Sequence, residues 1–196
     1  MLVSVPTNLG YTVLAGLVAG ESAGLPIPGE TALVTAALLA GAGHLSLPLV
    51  IGVAALAAAL GDNIGFWLGR RGGRRALTAD RGPFRRHRQH LLQRGERFFA
   101  AHGAKAVVIG RFVAGVRAVT AVVAGASGMP ARRFLVANAL GAIGWATTTA
   151  LLVWWLGPAG AVIALASGWT LAGGGAAVAA LRARRRQPAT CPATSP

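Results

Sequence analysis

Between Phe134 and Leu181 run 48 residues without one Asp, Glu, Lys, Arg or His. An α-helix crosses a bilayer with about 20 apolar residues, so this stretch holds two spans. Gly157-Pro158-Ala159-Gly160 is a turn signal that divides it into Phe134–Leu156 and Ala161–Leu181. A third apolar segment, Leu45–Gly69, has the same length class. Soluble domains carry about 25% charged residues, whereas this chain of 196 residues has 12% charged and 54% hydrophobic. The fold class expected is an all-α polytopic membrane protein, with residues 1–181 as one membrane-embedded domain.

The net charge is +14, and its distribution is informative. Ten arginines lie between Arg70 and Arg97 and four more between Arg182 and Arg186, each cluster bordering an apolar span. Lys and Arg beside spans mark the cytoplasmic side, so the charge reads as a topology signal and no nucleic-acid partner is expected. Within the arginine loop, Phe84, Arg88, Leu91, Leu92, Gly95, Phe98 and Phe99 recur at helical spacing. They predict a basic amphipathic helix that lies either on an anionic membrane surface or on its own protein. The N-terminus lacks the basic start of a cleaved signal peptide. The lone Cys191 leaves no Cys-based metal site or disulfide framework, and residues 182–196 read as a basic, disordered cytoplasmic tail. His87 and His90 share a helical face, but Arg85, Arg86 and Arg88 would repel a metal ion. No cofactor is expected.

Arg132 and Arg133 follow Gly103–Gly128 directly, and two further spans must return the chain to the cytoplasmic Arg182 cluster. Residues 103–128 therefore enter and leave on one side, as a re-entrant hairpin. By the same parity Leu45–Gly69 begins outside, and residues 20–40 form a re-entrant hairpin entered from the opposite face. Val3–Ala19 is short for a span and lies at the interface or in the first hairpin. The chain thus reads as two inverted-topology halves, each a re-entrant helical hairpin followed by a transmembrane helix. Paired interrupted segments of this kind point to a transporter's binding site.

These hairpins carry the charges. GESAGLPIPGE, residues 20–30, holds Glu21 and Glu30, two of only five acidic residues, around the turn-forming Pro26, Pro28 and Gly29. The second hairpin holds Arg111 and Arg117. Six residues apart on a straight helix they would point about 120° from each other; a break at Gly115 would turn both to one ligand. Arginine suits bidentate contact with phosphate, and broken half-helices add N–H groups that favour anions. Carboxylates drawn out of water take up protons more readily, as proton coupling requires. The opposite reading is that Glu21, Glu30, Arg111 and Arg117 only balance each other's charge. Asp62 reads as a cap or a partner for nearby arginines. Gly61, Gly65 and Gly69, four apart, form a close-packing pattern of membrane helices. No GxSxG, Walker A or HExxH pattern occurs, and no nucleophile–base pair sits at membrane depth, so an enzyme is not expected.

Taken in order, these elements resemble the DedA family of bacterial membrane proteins, also called SNARE-associated or VTT-domain proteins. Glu21-Ser22 followed by Pro26-Ile27-Pro28-Gly29-Glu30 looks like the family's E-N…P-x-P-G-[ED] segment. Gly61-Asp62…Gly65-Phe66…Gly69-Arg70 looks like its G-D-x-x-G-Y-x-x-G-R segment. Phe98…Gly103, then Arg111-Phe112…Arg117, resemble its F-x-x-x-x-G and R-F-x-P-x-x-R elements, and Ala124-Gly125, Met129, Phe134, Asn138, Gly141 and Trp145 continue the pattern. The resemblance covers about residues 8–160. Ser22 stands for the usual Asn, and Ala114 and Ala121 stand for two prolines, so the second hairpin must bend at Gly110 or Gly115.

The resemblance implies a multi-pass protein of the bacterial cytoplasmic (inner) membrane that returns undecaprenyl-type polyprenyl phosphate carrier lipid to the cytoplasmic leaflet. It implies that Arg111 and Arg117 hold the lipid phosphate and that Glu21 and Glu30 couple protonation to hairpin movement. The expected partners are an anionic lipid, protons and the membrane itself. Two further readings stay open: an ion/proton antiporter or phospholipid scramblase, and a non-transporting assembly protein with structural charges. Oligomeric state is not fixed by the sequence, so a homo-oligomer stays open.

Overall fold

The computed structural model describes residues 7–25, 27–73, 99, 101–112 and 116–185, with side chains at 8–25, 27–72, 99, 101–112 and 120–166. The described residues are helices and turns. α1 is Thr7–Ser22, α2 Gly29–Gly41 and α3 Leu47–Leu68, continued by a π-helical turn, Gly69–Gly73. α4 covers residues 101–110, with a bend at Gly103 (φ 52°), α5 is Val116–Ala126 and α6 is Ala131–Arg185. Among the described residues, two segments are long and apolar enough to cross a membrane, Leu47–Gly72 and Ala131–Ala166. The predicted amphipathic helix lies outside the described residues, except for the buried Phe99.

Three helices end in the same way. Gly24, Gly43 and Gly128 take positive φ, 103°, 79° and 76°, just past α1, α2 and α5. In each case the next residue's N–H reaches back five residues: Leu25 to Gly20 (3.0 Å), His44 to Leu39 (2.9 Å) and Met129 to Ala124 (3.2 Å). That is the Schellman closure, which satisfies carbonyls left open at a helix end and favours glycine. The first hairpin therefore turns at Gly24. Gly29, expected in the turn, is already the first residue of α2, and Pro28 is its cap. Pro26 lies outside the described residues.

Of the two placements open to Val3–Ala19, the structure takes the hairpin: its first arm is α1, which starts at Thr7 and extends the hairpin beyond residues 20–40. The arms run antiparallel: a Cβ on Gly29 at the start of α2 would lie 2.8 Å from the Leu17 carbonyl oxygen, and one on Gly10 of α1 would lie 3.6 Å from Leu45, past the end of α2. The two prolines make residues 20–40 look self-contained, but α2 needs an apolar partner and α1 supplies it. α6 breaks at Gly157 (φ 57°, ψ −133°), within the expected turn. The bend is sharp, because a Cβ on Gly160 would lie 3.0 Å from the Leu152 carbonyl carbon, eight residues back. α6 then runs through Arg182–Arg185, which the sequence reading assigned to a disordered tail. Ala, Leu and Arg are strong helix formers, so the helix continues past the last apolar residue. Residues 186–196 lie outside the described set.

α3 is the spine. Gly61 abuts α1, where a Cβ would stand 2.7 Å from the Ser22 Cβ, and Gly65 abuts Ala121 of α5 (3.5 Å). A Cβ on Gly69 would lie 2.8 Å from the Val122 carbonyl carbon, and one on Gly125 would lie 2.9 Å from the Arg70 amide nitrogen. Bare glycines let helix backbones touch, as in small-residue packing between membrane helices. Ser46 N–H donates to the Tyr11 hydroxyl (2.9 Å), so the open end of the first hairpin sits at the start of α3. Arg70 Nη1 donates to the Met129 carbonyl (3.3 Å), so the open end of the second sits at the finish of α3. The two hairpins thus lie against α3 from opposite ends, and their tips approach Gly61–Gly65.

Two apolar clusters follow. One joins α1, α2, α3 and α6 through Leu14, Val18, Leu33, Val50, Trp145 and Val153, with alanines between them. The other joins Phe66, Phe99, Val107, Ala121, Met129 and Phe134, with Phe66 and Phe134 stacked at 4.3 Å. Large apolar side chains also face outward: Leu60 is 61% exposed, Ile109 67% and Trp155 81%. An outer surface this apolar matches lipid rather than water.

Candidate functional site

In the last third of α3, Asp62 follows the glycine that contacts α1. Arg111 arrives at the end of α4, and Asn138 from the second turn of α6. Arg111 and Asp62 are each 3% exposed and Asn138 is 1% exposed. Arg111 Nη1 forms an ion pair with Asp62 Oδ2 and also donates to Asn138 Oδ1. The Asn138 amide then donates to the Ala59 carbonyl (3.0 Å) and to Asn63 Oδ1 (3.2 Å). One guanidinium therefore ties the tip of the second hairpin to both long helices. Gly141 makes room for it: a Cβ there would lie 3.2 Å from Arg111 Cδ. Asp62 had no assigned partner across the chain in the sequence reading, and here it meets an arginine 49 positions away.

The tip of the first hairpin is closed differently. Glu21 Oε2 accepts the backbone N–H of Glu30 at 2.8 Å. The carboxylate caps the start of α2, where N–H groups lack helical partners and negative charge is favoured. Gly29 is buried beneath it, and a Cβ there would stand 2.5 Å from Glu21 Oε2 and 2.8 Å from the Leu17 carbonyl oxygen. Glu30 is part-buried on the first turn of α2.

Arg117 falls on α5, but its side chain lies outside the described residues, as do residues 113–115 with Gly115. The chain leaves α4 in a turn at Arg111-Phe112, one residue after Gly110, one of the two bend points expected. Asn63 belongs to no motif in the sequence, and Asn138 stands out only in the family pattern. The available signal was their chemistry: an amide inside an apolar span seeks a partner on another helix.

Asp62, Arg111 and Asn138 line a cavity with Val107, Thr120, Ala121 and Phe134. Its volume is about 10 Å³, room for no more than one water. In this conformation the guanidinium is engaged and enclosed. An anion the size of a phosphate reaches it only if the second hairpin moves.

Helical hairpins on a glycine-faced spine, a buried Arg–Asp–Asn cluster and a lipid-like outer surface define a helical membrane protein. The VTT-domain family model matches residues 27–155, and the chain belongs to that family, the DedA family of membrane proteins. It is 40% identical over 148 residues to the membrane protein slr0232 of Synechocystis, covering 76% of this chain and 67% of the relative. It is 34% identical over 140 residues to the inner membrane protein YohD of Escherichia coli, covering 71% and 67%. With the DedA protein of Escherichia coli it shares 29% identity over 121 residues, covering 61% and 54%. No solved structure matches the chain.

Proposed function

We propose that this protein is a proton-coupled flippase of the bacterial cytoplasmic membrane, moving a polyprenyl phosphate of the undecaprenyl type between leaflets. The observation that carries this reading is the buried Arg111, held at a hairpin tip by Asp62 and Asn138. A permanent cation at such depth is expensive and reads as functional. Its present partner is a carboxylate, met through Nη1, and a lipid phosphate would accept the bidentate contact that a guanidinium can make. Exchange of Asp62 for phosphate, with the second hairpin swinging from α3, would take up the head group. Arg117 on the same hairpin would be the second phosphate ligand. The two hairpins would be re-entrant from opposite faces, giving access to each leaflet in turn. Protonation of Glu21 would weaken the cap that closes the first hairpin and couple its opening to the proton gradient; Glu30 beside it would share that proton. The membrane-inner placement agrees with the name of the relative YohD.

The test is transfer of labelled polyprenyl phosphate across proteoliposomes with an imposed pH gradient. Transfer is expected, with at least a tenfold loss in Arg111→Ala and in Arg117→Ala at equal protein content, about the effect of losing one charged hydrogen bond. Unchanged transfer in both variants would refute the phosphate role. Cation-driven proton movement in vesicles free of lipid phosphate would instead favour an ion/proton antiporter.

A further inference from the structure

A second basic feature lies apart from the buried cluster. α4 and α6 run side by side and leave an open groove of about 550 Å³ between them. Its walls are apolar: Val108 and Ile109 from α4, Val136 and Leu140 from α6. Lys105, Arg132 and Arg133 line the same groove, all exposed and all at one end of it. Among the described residues no carboxylate pairs with any of the three. Arg132 and Arg133 also sit in the first turn of α6, where open N–H groups already favour negative charge over positive. Two cations there work against the helix unless an anion joins them.

A topology signal needs cations near a span, but not from two helices at the mouth of one apolar channel. From Arg132 to Leu140 α6 rises about 12 Å, enough to lay several methylenes of a chain against the wall. We propose that this groove binds an anionic phospholipid of the surrounding leaflet. Its phosphate lies on Lys105, Arg132 and Arg133, and an acyl chain lies along Val108, Ile109, Val136 and Leu140. Charge decides among occupants. Residues 74–98 of the chain carry eight arginines against Asp80 and Glu96, so that segment is the wrong sign. A second copy docking through the same face would set three cations against three. An anionic lipid supplies both the charge and the apolar length. This site does not rest on the transport reading, and its test reads no transport.

The full chain is reconstituted in phosphatidylcholine vesicles containing a trace of phosphatidylglycerol with a photoactivatable diazirine in its acyl chain. Adducts are mapped by mass spectrometry and compared with those from the matching phosphatidylcholine probe. Phosphatidylglycerol adducts are expected on residues 104–109 and 132–140, in excess over the neutral probe and displaced by unlabelled phosphatidylglycerol. The outward face at Leu56 and Leu60 should label equally with both probes. Each of Lys105→Gln, Arg132→Gln and Arg133→Gln should lower the excess about fivefold, the usual effect of one cation near an anionic lipid. The triple variant should abolish it. Should the triple variant fail to fold, the single variants carry the test. Equal labelling by both probes, single variants that keep the full excess, or chain-to-chain cross-links in the groove would each overturn the proposal.

Discussion

The hairpin of α1 and α2 and the hairpin of α4 and α5 bring opposite charges to the same stretch of α3. The first closes upon itself: a carboxylate from one arm caps the N-terminus of the other, 2.8 Å away. The second is closed from outside, because Arg111 reaches into α3 and α6. Opening the first breaks an internal cap and parts α1 from Gly61 of α3. Opening the second breaks a buried network shared by three elements. The difference teaches where each kind of change should register. On the proposed transport reading, a proton would act at the cap of the first hairpin and a competing anion at the buried network of the second.

Removing Asp62 should break this comparison most severely. Asp62→Ala leaves a buried guanidinium without its carboxylate, and such losses destabilise by about 3–5 kcal/mol. The expected reading is a large fall in thermal midpoint in detergent, together with loss of dispersed protein. The pair Asp62→Leu with Arg111→Met should recover most of that stability, because an apolar pair of similar volume can replace a buried ion pair. It should not recover lipid transfer. A paired variant that transports normally would make the charge cluster a structural device alone.

A smaller effect is expected where α5 leans on the spine. Gly125→Val adds bulk 2.9 Å from the Arg70 amide nitrogen, and overpacking of this kind typically costs about 1–3 kcal/mol. The same substitution at Gly52, where a Cβ would meet nothing within 4 Å beyond its own helix backbone, should leave the midpoint near the parent's. Equal midpoints for the two variants would mean that the close backbone contact does not hold α5 in place.

The smallest change belongs to the first hairpin. Glu21→Ala removes a cap, worth about 1 kcal/mol. Glu21→Gln keeps an acceptor for the Glu30 N–H and should match the parent in stability while flattening the pH dependence of transfer. If Gln behaves as Ala in melting and as Glu in transfer, the capping and proton-coupling roles of Glu21 are both wrongly assigned.

Local signals in the sequence marked much of this architecture. The charge-free run from Phe134 and its Gly157-Pro158 break correspond to α6 and its bend, and glycines four apart on α3 mark its packing face. Hairpin limits were harder to place. Pro26 and Pro28 draw the eye to residues 20–30, yet the arm that packs against α2 begins at Thr7, in a stretch too short to qualify as a span. The ion pair was hidden for another reason. Asp62 and Arg111 are 49 residues apart, and no periodicity links them. Only the cost of each charge at depth says that both need partners, without saying which.

The glycine ladder has a consequence for biosynthesis. Gly65 and Gly69 are made about fifty residues before Ala121 and Val122, which cover them. At about 5–20 residues per second, α3 waits several seconds in the bilayer with a bare backbone stripe. During that interval the stripe is open to any small-faced helix nearby, including α3 of another nascent copy. Slower synthesis through residues 70–120 would lengthen that exposure.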